Sequence, residues 1–138
     1  MRRFLAGLSL LACACGPRTA PGLEPLAGGA PAADYRLRAL TGVRDGEALH
    51  AAAEFAGGDG ELLLTLRFRV GVPTRLASGT WVWTRGAARS GGRVSERSTE
   101  FLGGQSGRPS LGGDFDLLDE RGQPVYRVRW PARELAPQ

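Results

Sequence analysis

The segment Glu61-Leu62-Leu63-Leu64-Thr65-Leu66-Arg67-Phe68-Arg69-Val70 decides the fold. Leu62, Leu64, Leu66, Phe68 and Val70 recur at every second position, with Leu63, Thr65, Arg67 and Arg69 between them. Successive side chains of a strand point to opposite faces, so a period of two builds one apolar face and one mainly polar face. That is the pattern of a half-buried strand. Gly57-Gly58-Asp59-Gly60 supplies a turn before it, and Pro73 stops it behind.

Working outward, the same alternation recurs in shorter pieces. Upstream, Tyr35 to Val43 sets Tyr35, Leu37 and Ala39 against Arg36 and Arg38. Arg44-Asp45-Gly46 turns the chain, and Glu47 to Phe55 returns as a second strand, although the Ala-rich Ala48 to Glu54 also suits a helical turn. Downstream, Gly79 to Thr84 predicts a strand with Trp81 and Trp83 on one face. Arg85 to Gly113 is rich in Gly, Ser and Arg, and Arg93 to Leu102 within it reads as a solvated edge strand. Asp114 to Asp119 brings Phe115 and Leu117 inward, Glu120 to Gln123 turns, and Tyr126, Val128 and Trp130 line the return. Pro131 ends it, leaving Ala132 to Gln138 as a loose tail. About seven short strands with frequent turn signals, and no alternating helix pattern, predict an all-β domain. The expected architecture is a small antiparallel β-sandwich, or barrel, over residues 34–131.

The chain ahead of this domain has a different composition. Arg2 and Arg3 precede a compact apolar run from Phe4 to Ala12, too short for a bilayer span of roughly 20 residues. It has the form of a secretory signal peptide over residues 1–12. Leu10-Leu11-Ala12-Cys13 resembles the lipobox of bacterial lipoproteins. The resemblance covers the first thirteen residues and implies lipidation at Cys13, with cleavage before it. A thiolate is a good nucleophile for the thioether that the family forms, and more than one acyl chain anchors stably. In that family, Ala14 rather than Asp after the modified Cys favours the outer membrane. Cys15 offers a second register, with Ala12 where Leu is preferred. Residues 13–33 then read as a lipidated Cys and a flexible linker with Pro17, Pro21, Pro25 and Pro31 among Gly and Ala. No family is recognised in the folded domain.

Composition narrows the chemistry. All 18 basic residues are Arg, against 14 acidic ones, for a formal charge of +4. Loss of Arg2 and Arg3 with a signal peptide lowers it to about +2, a weak argument for nucleic acid. Both cysteines lie at positions 13 and 15, so the domain has neither disulfide nor thiol chemistry.

Few constellations carry catalysis. His50 is the only histidine and the sole candidate base for a hydrolase. Gly104-Gln105-Ser106-Gly107-Arg108 falls short of a nucleophile elbow, because its second Gly comes one residue early. One His and no Cys make a zinc site unexpected. Asp114, Asp116, Asp119 and Glu120 cluster near one hairpin, yet lack the calcium-loop pattern and read as a solvated, Arg-paired hairpin. No cofactor, metal or catalytic residue is expected.

Two binding surfaces remain as candidates. Trp81 and Trp83 could stack on sugar rings, against the plainer expectation that they fill the core. Arg85, Arg89, Arg93, Arg97 and Arg108 form a candidate surface for an anionic or acidic partner. The sequence therefore predicts a non-enzymatic, membrane-anchored envelope lipoprotein, exported and facing the periplasm or cell surface. It is expected to act as an accessory or scaffold that binds another envelope protein. A small glycan- or ligand-binding module is the alternative, and a His50 hydrolase a distant third.

Overall fold

A computed structural model describes residues 22–26, 34–103 and 108–138. They form eight strands: β1 (Gly22–Pro25), β2 (Arg36–Asp45), β3 (Ala48–Gly57), β4 (Gly60–Arg69), β5 (Arg75–Arg85), β6 (Ala88–Leu102), β7 (Ser110–Leu118) and β8 (Pro124–Glu134). The sheet order is β1-β8-β7-β6-β5-β4-β3-β2, every neighbour antiparallel. The all-β expectation holds. Of the two architectures, it is the barrel-like one: a single sheet curled into a half-barrel.

β4 behaves as its alternation requires, with Leu62, Leu64, Leu66 and Phe68 buried and the residues between them exposed. Ala48 to Glu54 is strand, not helix. Leu49, Ala51, Ala53 and Phe55 point inward at period two, and pairing on both sides of β3 overrides the helical preference of Ala. Gly46, at φ 62°, occupies the β2–β3 turn, the left-handed conformation that Gly adopts without steric cost.

Three segments differ from the sequence reading. Gly22–Pro25, within the expected linker, is a strand that pairs with β8 and buries Leu23. Ala132 to Glu134 belong to β8, and Leu135 beyond them is buried rather than part of a loose tail. The Gly42 amide donates to the Ala136 carbonyl at 2.9 Å, and the Ala136 amide donates to the Leu40 carbonyl at 3.0 Å. These bonds draw β2 and the end of the chain together across the open side of the half-barrel.

The third difference is β6, expected at an edge and found in the middle of the sheet. Its first part, Ala88 to Arg93, pairs with β5, and its second, Val94 to Leu102, pairs with β7. The strand turns a corner between the two. Gly92 makes the corner possible, because a Cβ there would lie 2.0 Å from the Leu118 carbonyl oxygen. Beyond the Thr80–Arg93 pair, β5 and β6 diverge, and Glu96 spans the gap. Its carboxylate accepts from Arg75 Nε at 3.0 Å, from the Leu76 amide at 2.9 Å and from the Thr99 hydroxyl.

The concave side is filled by aromatic rings. Tyr35, Trp83, Tyr126 and Trp81 form one connected group, with centroids 4.6–6.3 Å apart. Phe55, Trp130, Phe115 and Phe68 form another, at 5.3–6.1 Å. With Leu49, Leu62, Leu64, Leu66, Leu111 and Val128 they make one core.

Candidate functional site

The two candidate sugar-stacking residues are core residues. Trp81 is 3% and Trp83 2% exposed. Each indole N–H is satisfied internally: Trp81 donates to the Leu118 carbonyl at 2.8 Å and Trp83 to the Tyr35 hydroxyl at 2.9 Å. Buried polar tips find partners in this way, and both rings belong to the core, with Trp81 also at the border of a surface groove. The Arg85 guanidinium covers Trp83 at 3.7 Å from the ring centroid. Tyr35 in turn donates to Asp59, and burial first, then that hydrogen bond, raises its phenol above the ordinary value.

The five candidate partner-binding arginines do not form one patch. Arg85 is engaged with Trp83 and, at 3.9 Å, with Asp59. Arg97 lies 3.7 Å from both Asp114 and Asp116. Arg89 and Arg93 stand on β6 but border separate grooves, and Arg108 is exposed beside residues 104–107, which are outside the described residues. Arg89 and Arg93 share the outer face of β6 ahead of its corner, whereas Arg97 lies in the bulge between Glu96 and Ser98.

Half of the acidic hairpin is Arg-paired: Asp114 and Asp116 face Arg97 and Arg127, whereas Asp119 binds backbone amides. Asp116 accepts from Arg127 Nε at 2.9 Å, and this bond leads the causes that raise the Arg127 guanidinium above its ordinary value. Asp119 caps its own turn, accepting from the amides of Arg121 and Gln123 at 2.9 Å each. Among the described residues, no group of three or more His, Cys, Asp or Glu is placed to hold a metal. Gly104 to Gly107 and the candidate lipidation site Cys13 lie outside the described residues.

Among the described residues, a groove of about 740 Å³ lies on the convex, solvent side of β3, β4, β5 and β6. Register builds it in two rows. Ala52, Thr65, Thr80 and Arg93 align across β3 to β6, and His50, Arg67 and Ser78 align beside them across β3 to β5. His50, Thr65, Arg67, Ser78, Thr80 and Arg93 are all exposed. Arg67 stands between His50 and Ser78, so His50 has no adjacent hydroxyl in its row. The groove therefore offers two guanidiniums, an imidazole and a floor of small hydroxyl-bearing side chains. Sequence reasoning singled out His50 and Arg93, but not Arg67 or the threonines. Only the strand register unites them.

Compared with protein-family models, with curated proteins and with solved structures, the chain matches none.

Proposed function

We propose that the protein is a lipid-anchored bacterial envelope lipoprotein with a non-enzymatic accessory or scaffold role. It is exported by its leader, held through Cys13, and faces the periplasm or cell surface from the outer membrane. Its folded domain binds another envelope protein. The observation that carries the binding part of this reading is the filled concave side of the sheet. Trp81, Trp83, Trp130, Phe55, Phe68 and Phe115 occupy the volume in which many barrels hold a small ligand. Recognition then falls to the outer face and the loops. The leader carries the anchoring part, through Arg2-Arg3, the apolar run and Leu10-Leu11-Ala12-Cys13.

In this reading β1 shortens the tether. Lipid at Cys13 and a strand beginning at Gly22 leave eight residues between them, a reach of about 27 Å at full extension. The domain sits close to the headgroups, and its partner lies at that level. The test is membrane fractionation with palmitate labelling, followed by in-cell cross-linking of the full-length chain. The wild type should label, sediment with membranes and cross-link to one envelope protein in near-stoichiometric yield. A Cys13→Ala chain that still sediments through its N-terminus would end the lipid-anchor reading, and an absence of any cross-linked protein would end the scaffold reading.

A further inference from the structure

The outer-face groove makes a binding site in its own right, and we propose that it holds a saccharide bearing an oxyanion, with Arg67 and Arg93 on the anionic group and Thr65, Ser78 and Thr80 on the sugar hydroxyls. The inference rests on the groove alone and is independent of how the chain is anchored.

Charge singles out this groove. The Arg67 and Arg93 guanidiniums make no hydrogen bond or ion pair with any described residue, and no Asp or Glu side chain lines the groove, whose one border residue from the end of the chain is Gln138. Three other grooves among the described residues each contain a carboxylate: Glu100 and Asp114 in one, Asp119 and Glu120 in another, Glu47 in the third. The neighbouring arginines of β4 and β5 are also neutralised, Arg69 by Glu47 and Arg75 by Glu96. Arg67 also borders the groove that holds Glu47, but Glu47 is paired with Arg69, so the two guanidiniums still give the outer-face groove a positive potential.

Geometry sets the size of the ligand. Arg67 lies on β4 and Arg93 on β6, with β5 between them and one row apart. Their backbones are therefore roughly 10–12 Å apart, two strand spacings and one residue pair along the diagonal. The ground between is Thr65, Thr80 and Ser78, whose hydroxyls donate and accept. A bare anion uses the guanidiniums and leaves those hydroxyls to water, whereas a sugar ring with an attached phosphate or carboxylate engages both. A volume of about 740 Å³ falls in the range of small-molecule sites. Planar guanidinium suits either oxyanion through paired N–H donors.

The experiment is a two-dimensional amide NMR titration of the full-length chain in a non-ionic polyoxyethylene detergent. Four probes are used at tens of millimolar: glucose 6-phosphate, glucuronate, glucose and inorganic phosphate. At least one anionic sugar should shift the amides of Thr65, Arg67, Ser78, Thr80 and Arg93, and should bind more tightly than both glucose and phosphate. The two anionic sugars distinguish a phosphate from a carboxylate source. The R67A/R93A chain should weaken that binding by about tenfold or more, while R36A/R133A, which changes two arginines outside the groove, leaves it intact. Thermal melts of both variants establish that they remain folded. The proposal is overturned if no anionic sugar shifts those amides, if phosphate binds as tightly as the better sugar, or if R67A/R93A binds unchanged.

Discussion

Replacing Glu96 by Ala should destabilise the domain by about 2–3 kcal/mol, with the loss coming from the backbone of β5 rather than from an ion pair. Glu96 occupies the place where β5 and β6 part, and its carboxylate takes over from the missing ladder. Three donors converge on it: the Leu76 amide at 2.9 Å, Arg75 Nε at 3.0 Å and the Thr99 hydroxyl. The Arg75 side chain is 70% exposed, so that pair contributes only ~0–1 kcal/mol. Thr99 can turn to water. The Leu76 amide cannot turn, and a half-buried N–H left without an acceptor costs about 1–3 kcal/mol. The sum corresponds to a fall in Tm of roughly 10 °C for a domain of this size. Urea unfolding followed by tryptophan fluorescence reads the difference directly, with Arg75→Ala as the control at under about 1 kcal/mol.

The same carboxylate carries a pH signature. Burial raises its pKa, but the hydrogen bonds from Thr99, the Leu76 amide and Arg75, with the Arg75 charge, outweigh that and hold it below the ordinary carboxylate value. A folded pKa below the unfolded one gives stability that is present above the unfolded value and lost as pH falls through the folded value. The wild type should therefore lose stability on acidification that the Ala variant has already lost, and the two should converge. An Ala variant within about 0.5 kcal/mol of wild type at neutral pH would refute the reasoning. So would an Arg75→Ala loss equal to that of Glu96→Ala, which would make the ion pair the source.

Further predictions concern the corner, the core and the outer face. Gly92→Ala should cost about 3 kcal/mol or prevent folding, because its Cβ meets the Leu118 carbonyl oxygen at 2.0 Å; a melt within a few degrees of wild type would show that β6 does not turn there as described. Tyr35→Phe leaves the Trp83 N–H without its acceptor and should cost about 1–2 kcal/mol by denaturant titration. Because the Tyr35 pKa is raised above 10.0, its protonated phenol contributes stability that is full below pH 10.0 and lost as pH rises through the folded value, so Tyr35→Phe should blunt alkaline unfolding. Leu63→Thr, at an outward position of β4 that is 42% exposed, should leave stability within about 0.5 kcal/mol, whereas Leu64→Ala, one residue on and fully buried, should cost about 2–5 kcal/mol.

Alternation made most of the sheet legible. β3, β4, β7 and β8 each keep a period of two over enough residues to define a face, whereas in β2 a bulge at Arg38 breaks it and buries Leu40 in place of the expected Ala39. β6 is obscure for a physical reason. Only Val94 is buried along its 15 residues, and Gly91 and Gly92 stand where the backbones approach too closely for side chains. A central strand that bends through glycines has the composition of a loop. β5 is longer than its pattern, because Ala77 is an extra residue between the Ser78–Arg67 and Leu76–Phe68 pairs and breaks the alternation. β1 shows no period at all. Four residues ending in Pro25 expose one apolar side chain to selection by the core, and Leu23 alone cannot announce a strand. The tryptophans illustrate the limit of pattern from the other side: alternation places Trp81 and Trp83 on one face without saying which face is wet. The outer groove was illegible altogether, since Arg67 and Arg93 are 26 positions apart and share no motif.

The position of β1 has a consequence for the order of assembly. From β3 to β8 each strand pairs with the one just before it, so a chain emerging from its N-terminus can add hairpins one at a time, each forming in about 1–10 μs. β1 emerges first and its partner emerges last. Until β8 is in place, Leu23 lacks the strand it pairs with, and the Leu40–Ala136 bond across the open side is equally deferred. The domain is thus a growing meander with a late clasp, and the earliest segment waits longest for its neighbours. Pulse-labelled hydrogen exchange during refolding would register this as amide protection at Leu23 and Glu24 that lags behind the β3–β4 hairpin. Simultaneous protection would mean instead that the two ends of the chain meet before the middle is built.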